Sequence, residues 1–151
     1  MKRIFMSGCG GMLGEAFYEV FKSDNELKCT DIDLNEPWLE YLDFRNFDEY
    51  QKSVSEFKAD FLFHIGAHTD LEYCEDNIDD TYLTNTISVE NAVNIANDLN
   101  IPILYISTAG IFDAQRKYMM IGINLILYAI MQEVNMQPRF LLCSMPNIQL
   151  Y

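Results

Sequence analysis

The stretch Arg3-Ile4-Phe5-Met6-Ser7-Gly8-Cys9-Gly10-Gly11-Met12-Leu13-Gly14-Glu15 lies close to the start of the chain and decides how the rest is read. A short apolar run gives way to glycines, and an amphipathic run with Ala16, Phe17, Val20 and Phe21 follows at once. The spacing predicts a strand, a tight turn and a helix. In such a unit Gly8 permits the sharp bend, Gly11 lets the backbone approach a pyrophosphate without a Cβ in the way, and Gly14 lets the helix pack close on the strand. The free amides and positive end of the helix would then face an anion. The same glycines also suit an ordinary strand-to-helix turn, so the downstream sequence has to separate the two readings.

Leu27 to Asp31 reads as a second strand, ending in Asp31 with Asp33 just beyond. A carboxylate about 20 residues past the glycines is placed to accept hydrogen bonds from adenosine ribose hydroxyls. Asp31 is the better candidate, and its charge would repel a 2′-phosphate, favouring NAD over NADP. A solvated acidic loop is the alternative. Trp38 to Leu42 is a short third strand, followed by Asp43 and Phe44 and by a helix with Phe47, Tyr50, Val54 and Phe57 at helical spacing. Phe61 to Ile65 is a fourth strand, apolar apart from His64, as expected when a parallel sheet is covered on both faces. It runs into Gly66-Ala67-His68-Thr69, small residues that leave room for a ligand against the backbone. His68 reads equally well as a hydrogen-bonding group there and as a polar loop residue.

A helix is expected over about Asp79 to Leu99, with Tyr82, Val89, Ala92, Val93 and Ala96 on its apolar face and Asn85 as a surface residue or local backbone partner. Ile103 to Ile106 is a fifth strand, leading to Ser107-Thr108-Ala109-Gly110. Alternating strands and helices with short connections define an α/β fold, a doubly wound parallel sheet of Rossmann type. Ligands of such sheets bind outside the carboxyl ends of the strands. Gly8 to Gly14, Asp31, Gly66 to Thr69 and Ser107-Thr108 all fall there.

Composition narrows the partners. The 151 residues carry a formal net charge of -13, which argues against nucleic acid or an anionic membrane surface because either would repel the chain at long range. Cys9, Cys29, Cys74 and Cys143 show no paired spacing, and His64 and His68 lack cysteine partners, so a reducing cytoplasm and no metal site are expected. The longest apolar run, Met119 to Met131, is interrupted by Gly122 and Asn124 and is shorter than the ~20 residues of a membrane span.

These residues resemble the extended short-chain dehydrogenase/reductase family, and within it the dTDP-4-dehydrorhamnose reductases and their nucleotide-sugar relatives. The matching pieces are Ser7 to Gly14, Asp31, Leu42-Asp43-Phe44, Gly66-Ala67-His68-Thr69 with Glu75 downstream, Asn85, and Ser107 to Asp113. The resemblance covers residues 1–113 and implies a nicotinamide dinucleotide with pyrophosphate contacts at Gly11, Met12 and Leu13. It further implies ribose contact at Asp31, adenine contact at Asp43 and Phe44, and nicotinamide-side contacts at Ala67, His68 and Thr69. Thr108 matches the catalytic hydroxyl that hydrogen-bonds the substrate oxygen, and the implied substrate is a nucleotide sugar. A homodimer is compatible with this resemblance. Where these reductases often carry an acid after the threonine, this chain has Ala109.

The family's Tyr-x-x-x-Lys pair, which supplies the proton and holds the nicotinamide ribose, is missing. Gly122 and Gln132 stand four residues after Tyr118 and Tyr128. Residues 114–151 differ from the rest in character, with Arg116, Lys117, Glu133 and Arg139 as their charged groups. They read either as a divergent helix and short strand or as the product of a shifted reading frame after Asp113. Moving the frame back by one base through Met119 to Asn124 forces Asp-Asp and permits Trp-Asp-Lys. Through Leu125 to Leu127 it permits Pro-Asn-Pro, and through Ile130 to Asn135 it permits Tyr-Ala-Arg-Ser-Lys. The shifted-frame reading predicts that the tail exposes apolar surface and leaves the strand ending at Ile106 as an open edge. The family's sugar-nucleotide domain is expected to be lacking as well. Three functional readings follow: the cofactor-binding part of a nucleotide-sugar reductase, or of an epimerase or dehydratase; a non-catalytic dinucleotide-binding module or partner subunit; and a truncated product that does not fold stably.

Overall fold

A computed structural model of the chain describes residues 1–106. Five parallel strands form one sheet in the order β3-β2-β1-β4-β5. They are β1 (Arg3–Ser7), β2 (Glu26–Asp31), β3 (Leu39–Tyr41), β4 (Phe61–His64) and β5 (Ile103–Tyr105). The helices are α1 (Met12–Phe21), α2 (Phe47–Phe57), α3 (Leu71–Asp76), α4 (Ile78–Tyr82) and α5 (Ser88–Asp98), with a π-helical turn, Leu83–Ile87, between the last two. This is the expected doubly wound sheet. The chain steps outward from β1 to β3, then returns to place β4 on the other side of β1, so the strand order reverses between β1 and β4.

Strand side chains alternate between two cores, as the period of two dictates. On one face Phe5, Leu62 and Ile103 pack with Tyr50 and Val54 of α2 and with Ala92, Val93, Ile95 and Ala96 of α5. On the other, Ile4, Met6 and Cys29 pack against α1, where Phe17 and Phe21 meet Phe63 edge-on at 5.9 and 5.6 Å. Tyr18 stacks on Trp38 at 4.2 Å. Val20, part of the amphipathic run, is 66% exposed, so the buried stripe of α1 is narrower than its apolar composition.

The single helix expected from Asp79 is wound differently at its start. In an α-helix the Ser88 N–H would reach Thr84, but here it reaches the Leu83 carbonyl, five residues back, and the Ser88 hydroxyl donates to the Thr84 carbonyl instead. The expected apolar face survives in α5, but Tyr82 is exposed. A further helix, α3, was not foreseen; Asp70 caps it by accepting the Tyr73 N–H at 3.1 Å.

His64 is the hub of a buried polar network. Ser88 gives its hydroxyl proton to Thr84, so Nε2 of His64 donates to the Ser88 Oγ at 3.2 Å and Nδ1 is the acceptor. Ser7 Oγ and Tyr50 OH stand 3.0 and 3.2 Å from Nδ1 and 2.7 Å from each other. These hydroxyls and the ring are fully buried. No helix among the described residues is long and apolar enough to cross a membrane. β5 has no outer neighbour among the described residues, and the expectations for the tail lie outside them.

Burial pushes the His64 imidazole down to about 4 from its ordinary 6.5. The unfolded chain therefore takes up a proton before the folded one does, and stability is lost as pH falls from 6.5 towards 4. The shift corresponds to on the order of 3 kcal/mol. Urea unfolding of the chain and of His64→Asn across this range should show a shallower loss in the variant; parallel curves would exclude His64 as the source.

Candidate dinucleotide site

The glycine turn starts where β1 ends, and its first two amides, Gly8 and Cys9, both donate to the Thr30 carbonyl of β2 at 2.9 and 3.1 Å. Gly8 has φ of +77°, and a Cβ there would stand 2.1 Å from the Gly66 Cα. Only glycine suits either condition. Gly14 is equally confined, but not against the strand as expected. A Cβ on Gly14 would lie 2.2 Å from the Cys9 carbonyl oxygen, so this glycine closes the helix onto its own turn. Gly11 is the opposite case, with nothing within 4 Å of where a Cβ would stand.

Gly11 is the residue preceding α1 and no side chain caps this end. The amides of Met12, Leu13 and Gly14 therefore have no partner within the helix and remain for an external acceptor. Met12 itself is 91% exposed, so its part is played by its backbone. Open space above Gly11, confinement at Gly8 and Gly14, and uncapped amides together fit a pyrophosphate.

Asp31 ends β2 and reaches under the turn, accepting the Gly10 N–H on Oδ2 at 2.7 Å and the Asp33 N–H on Oδ1 at 3.0 Å. Each oxygen keeps accepting capacity for a ribose hydroxyl. Asn35 closes the arrangement by donating to the Gly10 carbonyl at 2.9 Å. Gly10 and Asn35 were not singled out from the sequence; a fourth glycine within the motif was the available signal for Gly10, and Asn35 had none. Cys9 is buried, and a hydrogen bond with Cys29 together with that burial pushes its thiol far above the ordinary range, so it is a core residue and not a nucleophile.

Across the strand-order reversal, Gly66 packs under Phe44, whose ring would stand 2.4 Å from a Cβ on Gly66. Phe44 is thus a half-buried wall whose edge meets His64 at 4.9 Å. Asp43 is held by Arg45 through a two-pronged contact, Nε to Oδ1 at 2.8 Å and Nη2 to Oδ2 at 2.7 Å. The Arg45 hydrogen bonds hold the Asp43 carboxyl below its usual range. Asn85, read as an isolated helix asparagine, fastens the 66–69 loop: it accepts the His68 N–H at 2.8 Å and donates to the His68 carbonyl at 2.9 Å. The π-helical turn carries Asn85 to this position. Ala67 and Thr69 are exposed beside it, while Thr108 lies outside the described residues.

The reversed strand order, the glycine turn on β1 and the carboxylate on β2 are those of a Rossmann-type fold. A match to the family described as the RmlD substrate binding domain spans residues 1–121, and the chain belongs to that family. The chain is similar to the dTDP-4-dehydrorhamnose reductase of Aggregatibacter actinomycetemcomitans, 25% identical over 77% of this chain and 38% of the relative. It is likewise 25% identical to the solved dTDP-4-dehydrorhamnose reductase of Bacillus anthracis in complex with NADP, with a TM-score of 0.68 over 77% of this chain and 40% of that one. Methionine adenosyltransferase 2 subunit beta of Xenopus tropicalis is also 25% identical, over 74% of this chain and 34% of the relative. The chain thus spans well under half the length of these relatives.

The glycines should separate stability from binding. We expect Gly14→Ala to cost at least about 2 kcal/mol in urea unfolding, since overpacking against backbone has no easy relief, and Gly11→Ala to leave stability within about 0.5 kcal/mol. A tolerated Gly14→Ala would mean that the turn is looser than described.

Proposed function

We propose that this chain is the dinucleotide-binding part of an NAD(P)-dependent oxidoreductase of the dTDP-4-dehydrorhamnose reductase type, acting on a nucleotide sugar. The observation that carries this reading is the open space above Gly11 at the uncapped start of α1, with the Asp31 carboxylate under the same turn. The relatives named above support the substrate class. A bound nicotinamide dinucleotide would supply hydride transfer.

The chain's own residues then have separate tasks. The amides of Met12 and Leu13 would hold the pyrophosphate, and Gly11 keeps its approach free. Asp31 would accept the adenosine ribose hydroxyls, and its charge favours NAD over a 2′-phosphorylated dinucleotide. Asp43 and Phe44 would border the adenine. Ala67, His68 and Thr69 line the nicotinamide side, and Thr108 would hydrogen-bond the substrate oxygen.

A second reading is a binding subunit without chemistry. It is favoured by the absence of a lysine four residues after Tyr118 or Tyr128 and by the likeness to a protein named as a subunit of another enzyme. Proton transfer needs a group of suitable pKa at hydrogen-bond reach of the reacting oxygen. Turnover of a 4-keto nucleotide sugar with NADH, followed by absorbance, separates the readings: steady oxidation supports the enzyme, and binding without oxidation supports the subunit.

Titration calorimetry tests the site itself. Asp31→Ala should weaken NADH by roughly 10- to 100-fold, the loss expected for a charged hydrogen-bond partner worth about 1.5 to 3 kcal/mol. Gly11→Val should abolish binding while the chain stays folded, and NADH should bind more tightly than NADPH. Unchanged NADH affinity in both variants would refute the site.

A further inference from the structure

Arg45, Tyr73 and Asp80 form a cluster with His68 that neither the glycine turn nor the Asp31 site uses. Asp80, on α4, accepts the Arg45 Nη1 on Oδ1 at 2.7 Å, and on Oδ2 it receives the His68 Nε2 at 2.8 Å and the Tyr73 hydroxyl at 3.0 Å. Arg45 is itself fixed by its fork on Asp43. One carboxylate therefore ties the segment after β3, which borders the adenine side, to the loop after β4, which borders the nicotinamide side.

The contacts determine which nitrogen of the imidazole carries a proton. Hydrogen bonds from Tyr73 and His68, with the Arg45 charge beside them, hold the Asp80 carboxyl below its usual range, so it is an acceptor only. Nε2 of His68 must therefore carry a proton, and in the neutral ring Nδ1 is then a bare acceptor. The Tyr73 ring packs beside the imidazole at 4.8 Å, and Asn85 fixes the His68 backbone from both sides. Backbone, ring face and tautomer are all set before a ligand arrives. Such preorganisation spares a ligand the cost of ordering the loop.

We propose that Asp80 is a positioning residue, anchored by Arg45, that holds His68 in its Nε2–H form so that Nδ1 accepts a hydrogen bond from the nicotinamide-ribose half of the dinucleotide, a sugar hydroxyl or the carboxamide. The proposal rests on the dinucleotide reading of the site. It makes the nicotinamide half, not the adenosine half, the part of the ligand that feels Asp80.

Two measurements on the full chain test it. Nitrogen NMR of the ligand-free protein reports the His68 tautomer, which should be Nε2–H alone in the wild type and a mixture in Asp80→Ala. Calorimetry with NADH and with ADP-ribose, which lacks the nicotinamide, should show that Asp80→Ala weakens NADH roughly three- to tenfold and ADP-ribose less than twofold, within the coupling seen between members of one network. Combined with His68→Ala it should add nothing further. Asp80→Asn keeps the volume and should show the same pattern in weaker form, which covers an unfolded alanine variant. An unchanged tautomer, additive losses, or equal weakening of both ligands overturns the proposal. A wild-type chain that binds neither ligand, with the tautomer still following Asp80, overturns the dinucleotide reading and this proposal with it.

Discussion

The close approach of Gly8 to Gly66 is the constraint from which the rest of the site follows. Two neighbouring parallel strands leave the sheet at the same level, since Ser7 pairs with His64, and the segments that leave them nearly touch. A side chain at either glycine would stand where the other segment's backbone or the Phe44 ring already is. Because neither has one, the turn from β1 can fold back over the sheet edge and aim α1 at the point where the strand order reverses. The Asp31 carboxylate meets the same turn from β2, accepting the Gly10 N–H. Asp31 is not an independent feature: it is hydrogen-bonded to the turn through Gly10, so the cradle and the candidate ribose acceptor move as one piece.

An anion site in a chain of net charge -13 needs a local explanation. Oriented amides supply it. The start of a helix contributes about half a positive charge at contact distance, whereas acidic side chains beyond a Debye length of about 8 Å are screened by salt. Arg45, the basic side chain bonded within the site, is fully engaged by Asp43 and Asp80, so it acts on the protein's own carboxylates and not as a free phosphate receptor. The acidic surroundings therefore select by local geometry: an anion is accepted where amides converge and refused elsewhere.

Much of this was legible in the sequence because it depends on local rules. The three spaced glycines between an apolar run and an amphipathic one, the strand-end Asp31 and the small residues after Phe61 to Ile65 each state their own geometry. What the sequence did not disclose depends on contacts between segments. Asn85 looked like an isolated polar helix residue because its partner, the His68 backbone, is 17 positions away. The π-helical turn that carries it leaves the apolar periodicity of α5 intact and shows only in which carbonyl the Ser88 amide chooses. Asp80 was not singled out by the sequence, since its partners Arg45 and His68 are 35 and 12 positions away. Gly14 was identified correctly as obligatory but for the wrong neighbour, since a residue pattern can reveal that space is scarce without telling what occupies it.

Binding and chemistry are separable in this chain because they draw on different parts of it. Every group argued to hold a dinucleotide, from Gly8 to Thr69, lies within the first half of the sequence and is fixed by the sheet, the buried His64 network and the clasp around His68. The groups that would complete proton transfer belong to the sequence beyond Ser107, where Thr108 is present and the tyrosine-lysine pair is not. A Rossmann unit needs neither of these to cradle a pyrophosphate, since oriented amides and one carboxylate suffice. The contacts proposed for the dinucleotide therefore do not draw on that pair, and binding can be measured apart from turnover.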